Sequence, residues 1–81
     1  MPRVVFDDVL KQHALGVNET SIAARNFRDA VEELLARFPG LPRHVLERYT
    51  VAIDGIIIHQ AFLEELGSES ELRFISPIRG G

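Results

Sequence analysis

The 81-residue sequence lacks several residue types that common functions require. It contains no cysteine, which excludes a disulfide framework, a thiolate nucleophile and a cysteine-ligated metal site. Lys11 is the only lysine and the formal net charge is −3, so no basic stripe is available to bind nucleic acid. No apolar run approaches the about 20 residues of a membrane-spanning helix, and the N-terminus lacks a secretory signal pattern. These absences favour a cytoplasmic domain with neither a nucleic-acid nor a membrane partner.

The motifs of common enzyme classes are also missing. There is no GxSxG elbow, no P-loop and no GxGxxG segment. The histidines are too far apart in sequence for a metal-binding spacing; they are His13, His44 and His59. The pairs Asp7-Asp8 and Glu32-Glu33 are adjacent in sequence, so their carboxylates do not face each other on a strand or a helix. We therefore expect no metal, no catalytic residue and no enzyme activity.

The clearest predicted element is an amphipathic helix. From Phe27 to Phe38 apolar residues recur at intervals of three and four, as in a helix that buries one face. Asn26 is a favourable N-cap because its side-chain oxygen can accept a hydrogen bond from an unpaired backbone N–H. Asp29 lies at the positive end of the helix dipole, and Pro39-Gly40 ends the helix.

Short β-branched and aromatic runs predict four or five strands around this helix. The predicted order is a strand at 4–6, a turn at 16–19, a strand at 21–24, the helix, a helical turn within 41–48, a hairpin through YTVAIDGIIIHQ and a final strand at 71–76. The first two strands would form a hairpin, with Val9 and Leu10 either continuing the first strand or beginning an irregular segment. Asp54-Gly55 predicts a type I′ turn, because both residues tolerate a positive φ.

The final strand alternates between the core and the outside. Leu72 and Phe74 are predicted to face the core, whereas Arg73 and Ile75 face away from it. Pro77 has no amide hydrogen and ends the ladder. One long helix cannot bury its apolar stripe alone, and a sheet supplies the matching face. The sequence thus predicts an α+β domain at 1–76 and a flexible C-terminal Gly-Gly tail at 77–81.

The sequence ends in FISPIRGG. Gly80 and Gly81 have no Cβ, so this end is thin enough to enter a narrow site on a partner. A terminal carboxylate is ionised at neutral pH and is a poor electrophile, but as an acyl-adenylate it is open to attack by sulfur or an amine. The alternative is a frayed end without a function.

Three segments carry a resemblance to a known family. They are FRDAVEELLARFPGL at 27–41, VAIDG at 51–55 and ELRFISPIRGG at 71–81. On these segments the chain resembles the MoaD/ThiS-like sulfur-carrier branch of the ubiquitin-like β-grasp proteins. The segment VLKQHALG at 9–16 is similar to the cysteine-synthesis carriers within that branch. The resemblance implies a mixed four- to five-stranded sheet packed on one main α-helix.

The resemblance also implies a function for the tail. Gly81 would be adenylated by an ATP-dependent activating enzyme and converted to a thiocarboxylate that donates sulfur in molybdopterin, thiamine, cysteine or similar biosynthesis. The residues that would thread the partner's active site are Pro77, Ile78, Arg79 and Gly80. The chain itself would bind no cofactor, since ATP is used by the activating enzyme. It would be a protein co-substrate, or the small non-catalytic subunit of a synthase such as molybdopterin synthase, with a sulfur-accepting synthase subunit as second partner.

Two alternatives to the sulfur carrier stay open. Arg79 before Gly-Gly is closer to ubiquitin-like modifiers, which are joined to lysines through the C-terminal glycine. An interaction-only β-grasp module with an idle terminus is the other alternative. On the outward sheet face, Ile57 and Ile75 are either a docking surface for a partner or incidental surface hydrophobicity. An acidic cluster before the last strand either steers a basic partner or is a solvated surface; it comprises Glu64, Glu65, Glu69 and Glu71.

Overall fold

The computed structural model describes residues 1–59 and 61–75 of the chain. In these residues five strands and three helices follow one another along the sequence. They are β1 (Arg3–Val5), α1 (Asp8–His13), β2 (Glu19–Ser21), α2 (Phe27–Arg37), α3 (Arg43–Leu46), β3 (Thr50–Ile53), β4 (Ile56–Ile58) and β5 (Glu71–Ile75).

The strands form one mixed five-stranded sheet in the order β2-β1-β5-β3-β4. The central strands β1 and β5 are parallel, whereas the other neighbouring pairs are antiparallel. This arrangement confirms the predicted α+β fold with a mixed sheet and places the last strand at the middle of the sheet. The predicted boundary at residue 76 lies outside the described residues and stays a prediction.

The core lies between the sheet and α2, as the helical periodicity predicts. Phe27, Ala30, Val31 and Leu34 are the buried residues of α2. Asn26 caps the helix, because its side-chain oxygen accepts a hydrogen bond of 2.7 Å from the backbone N–H of Asp29. The predicted helical turn within 41–48 is α3, which buries Leu46.

The predicted hairpin is also confirmed. β3 and β4 are antiparallel, with Ile53 opposite Ile56 across a two-residue turn. Asp54 has a φ of 52° and Gly55 a φ of 82°, so both residues of the turn adopt the left-handed conformation that a type I′ turn requires. In β5, Leu72 and Phe74 are buried, whereas Arg73 is exposed and Ile75 is half-buried, as the alternation predicts.

The segment after β1 differs from the prediction. Val9 and Leu10 belong neither to a strand nor to an irregular segment but to the helix α1. Asp7 caps this helix by accepting a hydrogen bond of 2.8 Å from the backbone N–H of Leu10, and Leu10 and Ala14 are fully buried one turn apart. The first two strands pair antiparallel as predicted, but α1 rather than a tight turn connects them.

The second strand occupies residues 19–21 and not the predicted 21–24. The reason is a side chain on α2. The carboxylate of Glu33 accepts hydrogen bonds from the backbone N–H groups of Ala23 and Ala24 at 2.9–3.0 Å. These donors are therefore bound to the helix and do not take part in a strand ladder.

Candidate docking face and base of the tail

The outward sheet face carries Ile57 and Ile75, which the sequence predicts to be either a docking surface or incidental surface hydrophobicity. Ala52 on β3 lies opposite Arg73 on β5 and opposite Ile57 on β4. Thr50, two residues before Ala52, lies opposite Ile75. Because residues directly opposite each other share a face and alternate residues share a face, Ile57 and Ile75 lie on the same side of the sheet.

This side is partly apolar. Ile57 is 54% exposed, Ile75 is half-buried, and Ala52 between them is buried even though it points away from α2. Val5 on β1 lies opposite Arg73 and continues the same row. We refer to Val5, Ala52, Ile57 and Ile75 as the outer band. It is interrupted by the exposed side chain of Arg73, so it combines apolar surface with one cation.

Ion pairs border the outer band across β2, β1 and β5. Arg3 Nη1 donates to Glu19 Oε2 at 2.9 Å, and Arg3 Nη2 lies 3.7 Å from Glu71 Oε2. Arg73 Nε donates to the other oxygen of Glu71 at 3.4 Å. Exposed pairs of this kind contribute little to the free energy of folding. They do hold charged side chains in a fixed row beside the apolar surface.

The acidic cluster of the sequence is divided between different places. Glu71 lies in the ion-pair row between two arginines. Glu69 Oε2 lies 3.8 Å from the N-terminal ammonium of Met1. Glu65 forms an isolated bridge with Asn26, the N-cap of α2. The carboxylates of Glu69 and Glu71 thus have different partners, and Glu65 is paired through its backbone, so these three residues do not share one partner.

The base of the predicted tail is β5. Its last described residue, Ile75, pairs with Thr50 at the end of the sheet and belongs to the outer band. The proposed reactive residue Gly81 and the predicted threading residues Pro77, Ile78, Arg79 and Gly80 lie outside the described residues. The strand that precedes the predicted tail thus ends within the outer band.

A groove opens on the opposite side of the sheet, next to the edge strand β4, and no sequence pattern predicts it. Its volume is about 420 Å³. Side chains from α2, β3, β4 and the segments before β3 and after β4 line it, among them Phe27, Tyr49, Val51, Ile58 and Phe62. Glu47 and His59 are the charged or titratable residues in the lining. The groove is therefore largely apolar.

The described residues offer no metal site and no membrane span. In residues 1–59 and 61–75 no group of three or more histidine, aspartate or glutamate side chains could hold a metal ion. The three histidines are exposed and separate; they are His13, His44 and His59. Within the same residues no helix is long and apolar enough to cross a membrane.

Comparison with solved structures decides the fold. SAMP1 from Haloferax volcanii superposes with a TM-score of 0.78 at 19% identity over 99% of this chain and 98% of its own. CysO from Mycobacterium tuberculosis superposes with a TM-score of 0.84 at 9% identity, over 96% of this chain and 100% of its own. A chain of the BexX/CysO complex from Amycolatopsis orientalis superposes with a TM-score of 0.81 at 15% identity, over 100% of this chain and 100% of its own. The chain has the ubiquitin-like β-grasp fold.

The β-grasp likeness extends over the whole length of the compared chains. Neither a protein-family model nor a curated protein sequence matches the chain. At 9–19% identity the superpositions establish the fold and not the activity. The resemblance to MoaD/ThiS-like proteins, which three sequence segments predict, is confirmed at the level of the fold.

One residue that positions β5 in this β-grasp domain was not predicted. Asp54 was interpreted only as part of a turn, but its carboxylate accepts hydrogen bonds from Ser70 Oγ at 3.1 Å and from the backbone N–H of Glu71 at 2.9 Å. Ser70 Oγ in turn accepts from the backbone N–H of Gly67 at 2.8 Å. The turn between β3 and β4 is thereby tied to the first residue of β5. The Asp-Gly pair was a visible signal for the turn, but nothing in the sequence pointed to Ser70.

Proposed function

We propose that this protein is a sulfur carrier. An activating enzyme would adenylate the C-terminal carboxyl group of Gly81, and the product thiocarboxylate would donate sulfur to a biosynthetic acceptor. The observation that carries the proposal is the attachment of the sequence SPIRGG to a central strand. β5 is paired on both sides and is anchored by Leu72 at 0% and Phe74 at 1% exposure. The full-length likeness to CysO supports the same proposal.

The chemistry needs little from this chain besides its terminus. A carboxylate oxygen of Gly81 attacks the α-phosphorus of ATP in the activating enzyme and pyrophosphate leaves. A sulfur nucleophile supplied by that enzyme system then attacks the carbonyl carbon, and AMP leaves with the oxygen that linked it. Where that nucleophile is hydrosulfide, loss of its proton gives the thiocarboxylate on Gly81 directly. Where it is a persulfide, a second thiolate of the donor attacks the inner sulfur and forms a disulfide with it, so the outer sulfur stays on Gly81 as the thiocarboxylate. Glycine at 80 and 81 places no side chain beside the reacting carbon.

The outer band is proposed as the docking surface for the activating enzyme. It combines apolar side chains with a charged border, which is the usual anatomy of a protein interface. Ile75 is its member nearest to the tail, so docking there would hold the tail close to the partner's active site. The A. orientalis structure, a BexX/CysO complex, shows a protein of this fold together with another protein.

The test is an intact-mass measurement on the protein purified from its native host. We expect a species in which one C-terminal oxygen is replaced by sulfur. Because the chain has no cysteine, a thiol-directed alkylating reagent has no competing target, and its label should map to Gly81. A host with active sulfur transfer that yields only the unmodified, unlabelled mass would contradict the proposal.

Three variants extend the same experiment: two should lower the label, and the third is a matched control. Deletion of Gly80 and Gly81 should abolish the label. Ile75→Ala should lower the labelled fraction severalfold, because truncation of a residue that anchors an interface costs more than about 1 kcal/mol. Val9→Ala, a change of an equally apolar residue on α1 that is 51% exposed, should leave the labelled fraction unchanged.

A second candidate is a protein modifier joined to lysines through Gly81. The likeness to the H. volcanii small archaeal modifier protein 1, at a TM-score of 0.74, and Arg79 before Gly-Gly favour it. Trypsin cleaves after Arg79, so conjugates would leave Gly-Gly remnants on lysines of other proteins. Remnants that disappear on deletion of Gly81 would favour the modifier. Full biological activity of the truncated chain would instead favour an interaction-only module.

A further inference from the structure

The two edges of the sheet differ in chemistry. β2 presents Glu19, Thr20 and Ser21, and Arg37 Nη1 donates to the Thr20 hydroxyl at 2.8 Å and to the Ser21 carbonyl at 2.6 Å. β4 consists of three isoleucines, of which Ile56 is 66% and Ile57 54% exposed. Soluble proteins protect an edge by keeping the strand short or with charges, proline or a bulge; β4 is short but has no charge, proline or bulge. Its edge is a template for another strand.

On β4, one residue directs its backbone N–H and C=O groups away from β3, toward the open edge of the sheet. Because a two-residue turn joins β3 to β4, the closing pair Ile53 and Ile56 is hydrogen-bonded and the next pair, Ala52 and Ile57, is not. The N–H and C=O of Ile57 therefore point away from β3. No other described residue hydrogen-bonds to them.

We infer that β4 pairs with β4 of a second copy of this chain, antiparallel and across a twofold axis at Ile57. Such an axis places a residue opposite itself, and Ile57 is the residue of β4 with outward-pointing backbone groups. Ile56 then faces Ile58 of the second copy, and Ile58 faces its Ile56. An axis at Ile56 would place Ile58 opposite Asp54, and an axis at Ile58 would place Ile57 opposite His59. Only the axis at Ile57 pairs every isoleucine with an isoleucine.

The groove beside β4 fits the same occupant. Ile58 and Phe62 line the groove, and Phe62 is 59% exposed. In the symmetric pairing, Ile56 of the second copy lies opposite Ile58, on the face of the sheet that the groove occupies. Each copy thus offers an exposed isoleucine to the apolar groove of the other.

Charge and area set the strength of this association. β4 has no charged side chain, so the net charge of −3 on each copy is not concentrated at the contact. A strand of three residues covers less than the about 800 Å² per partner of a standard interface. The dimer is therefore weak and forms as the concentration rises.

The pairing goes beyond the proposed function and keeps the ends of the two β5 strands apart. β4 and β5 run in the same direction, since both are antiparallel to β3. In the second copy this direction is reversed, so the bases of the two tails lie at opposite ends of the joined sheet. Because Ile57 belongs to both surfaces, self-association and docking on the outer band compete.

The test is sedimentation of the full chain over a range from micromolar to millimolar concentration. We expect a monomer–dimer equilibrium that Ile57→Lys weakens at least about tenfold, since two like charges then lie opposite each other. Val9→Lys, the same change at a similarly exposed position on α1, should leave the equilibrium unchanged. Thermal unfolding of each variant checks that the monomer remains folded.

A mixture of Ile57→Lys and Ile57→Glu tests the axis itself. If residue 57 lies opposite residue 57, the mixture should associate more tightly than either variant alone. A wild-type chain that stays monomeric at every concentration overturns the inference, as does a mixture no tighter than its components. Protection of the Ile57 amide from hydrogen exchange only on addition of a foreign extended peptide would assign the edge to that partner instead. None of these outcomes depends on Gly81, so they leave the sulfur-carrier proposal separately testable.

Discussion

At the scale of single residues, Asp54 links two parts of the sheet that are distant in sequence. Its backbone adopts a φ of 52° in the turn, and its carboxylate accepts hydrogen bonds from Ser70 and from the backbone of Glu71. Ser70 is the buried polar residue of the described chain, at 6% exposure. A buried hydroxyl that loses its acceptor costs free energy, so the start of β5 depends on this one side chain.

Asp54→Ala should therefore lower the free energy of unfolding by about 1–3 kcal/mol, measured by urea denaturation. Asp54→Asn should cost less, because asparagine tolerates the left-handed conformation and keeps one side-chain acceptor. Asp8→Ala, at an exposed carboxylate of α1, is the control. A loss for Asp54→Ala no larger than that of the control would show that the anchor is unimportant.

At the scale of elements, a bidentate ion pair between Glu32 and Arg43 joins α2 to α3. Arg43 Nη1 and Nη2 donate to the two carboxylate oxygens of Glu32 at 2.6 and 2.9 Å. The hydrogen bond and the charge of Arg43 hold the pKa of the Glu32 carboxyl below its ordinary value of 4.5. Since both side chains are exposed, the pair is a modest contact that helps to orient α3.

The lowered pKa of Glu32 determines how the stability that this ion pair contributes changes with pH. Stabilisation by Glu32 is present at neutral pH and is lost as the pH falls through the pKa of the folded state. Glu32→Gln should thus be less stable than the wild type at neutral pH, and the difference should vanish in acid. Unfolding curves across this pH range check the result, with Glu64→Gln as the control. A difference that persists in acid would assign the effect to packing rather than to charge.

The elements also show what the sequence could and could not predict. α2 was predicted with its cap because one periodic stripe and one good N-cap residue agree over eleven residues. α1 was missed because it has only six residues and its burial rests on Leu10, while Val9 beside it is exposed. β2 was displaced because the carboxylate of Glu33 binds the backbone at Ala23 and Ala24. Such contacts depend on tertiary structure and leave no local pattern.

At the scale of the whole molecule, the core is organised around Phe74 of β5. Its ring centroid lies 6.4 Å from that of Phe6, 6.0 Å from that of Phe27 and 6.1 Å from that of Tyr49. These rings come from separate parts of the chain and meet on the strand that leads into the tail. The alternation in β5 predicted which side chains face the core, and the same alternation predicted that Ile57 and Ile75 share a face. It could not predict the Asp54–Ser70 contact, because the two residues are 16 positions apart.

Phe74→Ala should cost about 3–5 kcal/mol of unfolding free energy. Folded domains have unfolding free energies of about 5–15 kcal/mol, and a domain of 81 residues is expected near the lower end of this range. The loss from Phe74→Ala is of the same order, so much of the chain should be unfolded at 37 °C. Circular dichroism and thermal unfolding measure the effect. Phe62→Ala removes an identical ring that is 59% exposed and should be close to neutral. Equal losses in the two variants would contradict the central place of Phe74.

The parallel pairing of β1 with β5 has a mechanical consequence. The chain enters β1 at one end of the sheet and leaves β5 at the other, and Arg3, Val4 and Val5 lie beside Glu71, Leu72 and Arg73. A force that pulls these two chain segments apart slides the strands past each other and loads all their hydrogen bonds in shear at once. A pull on the C-terminal end of β5 against the N-terminal end of β1 is therefore resisted by all the hydrogen bonds of this strand pair together rather than one after another.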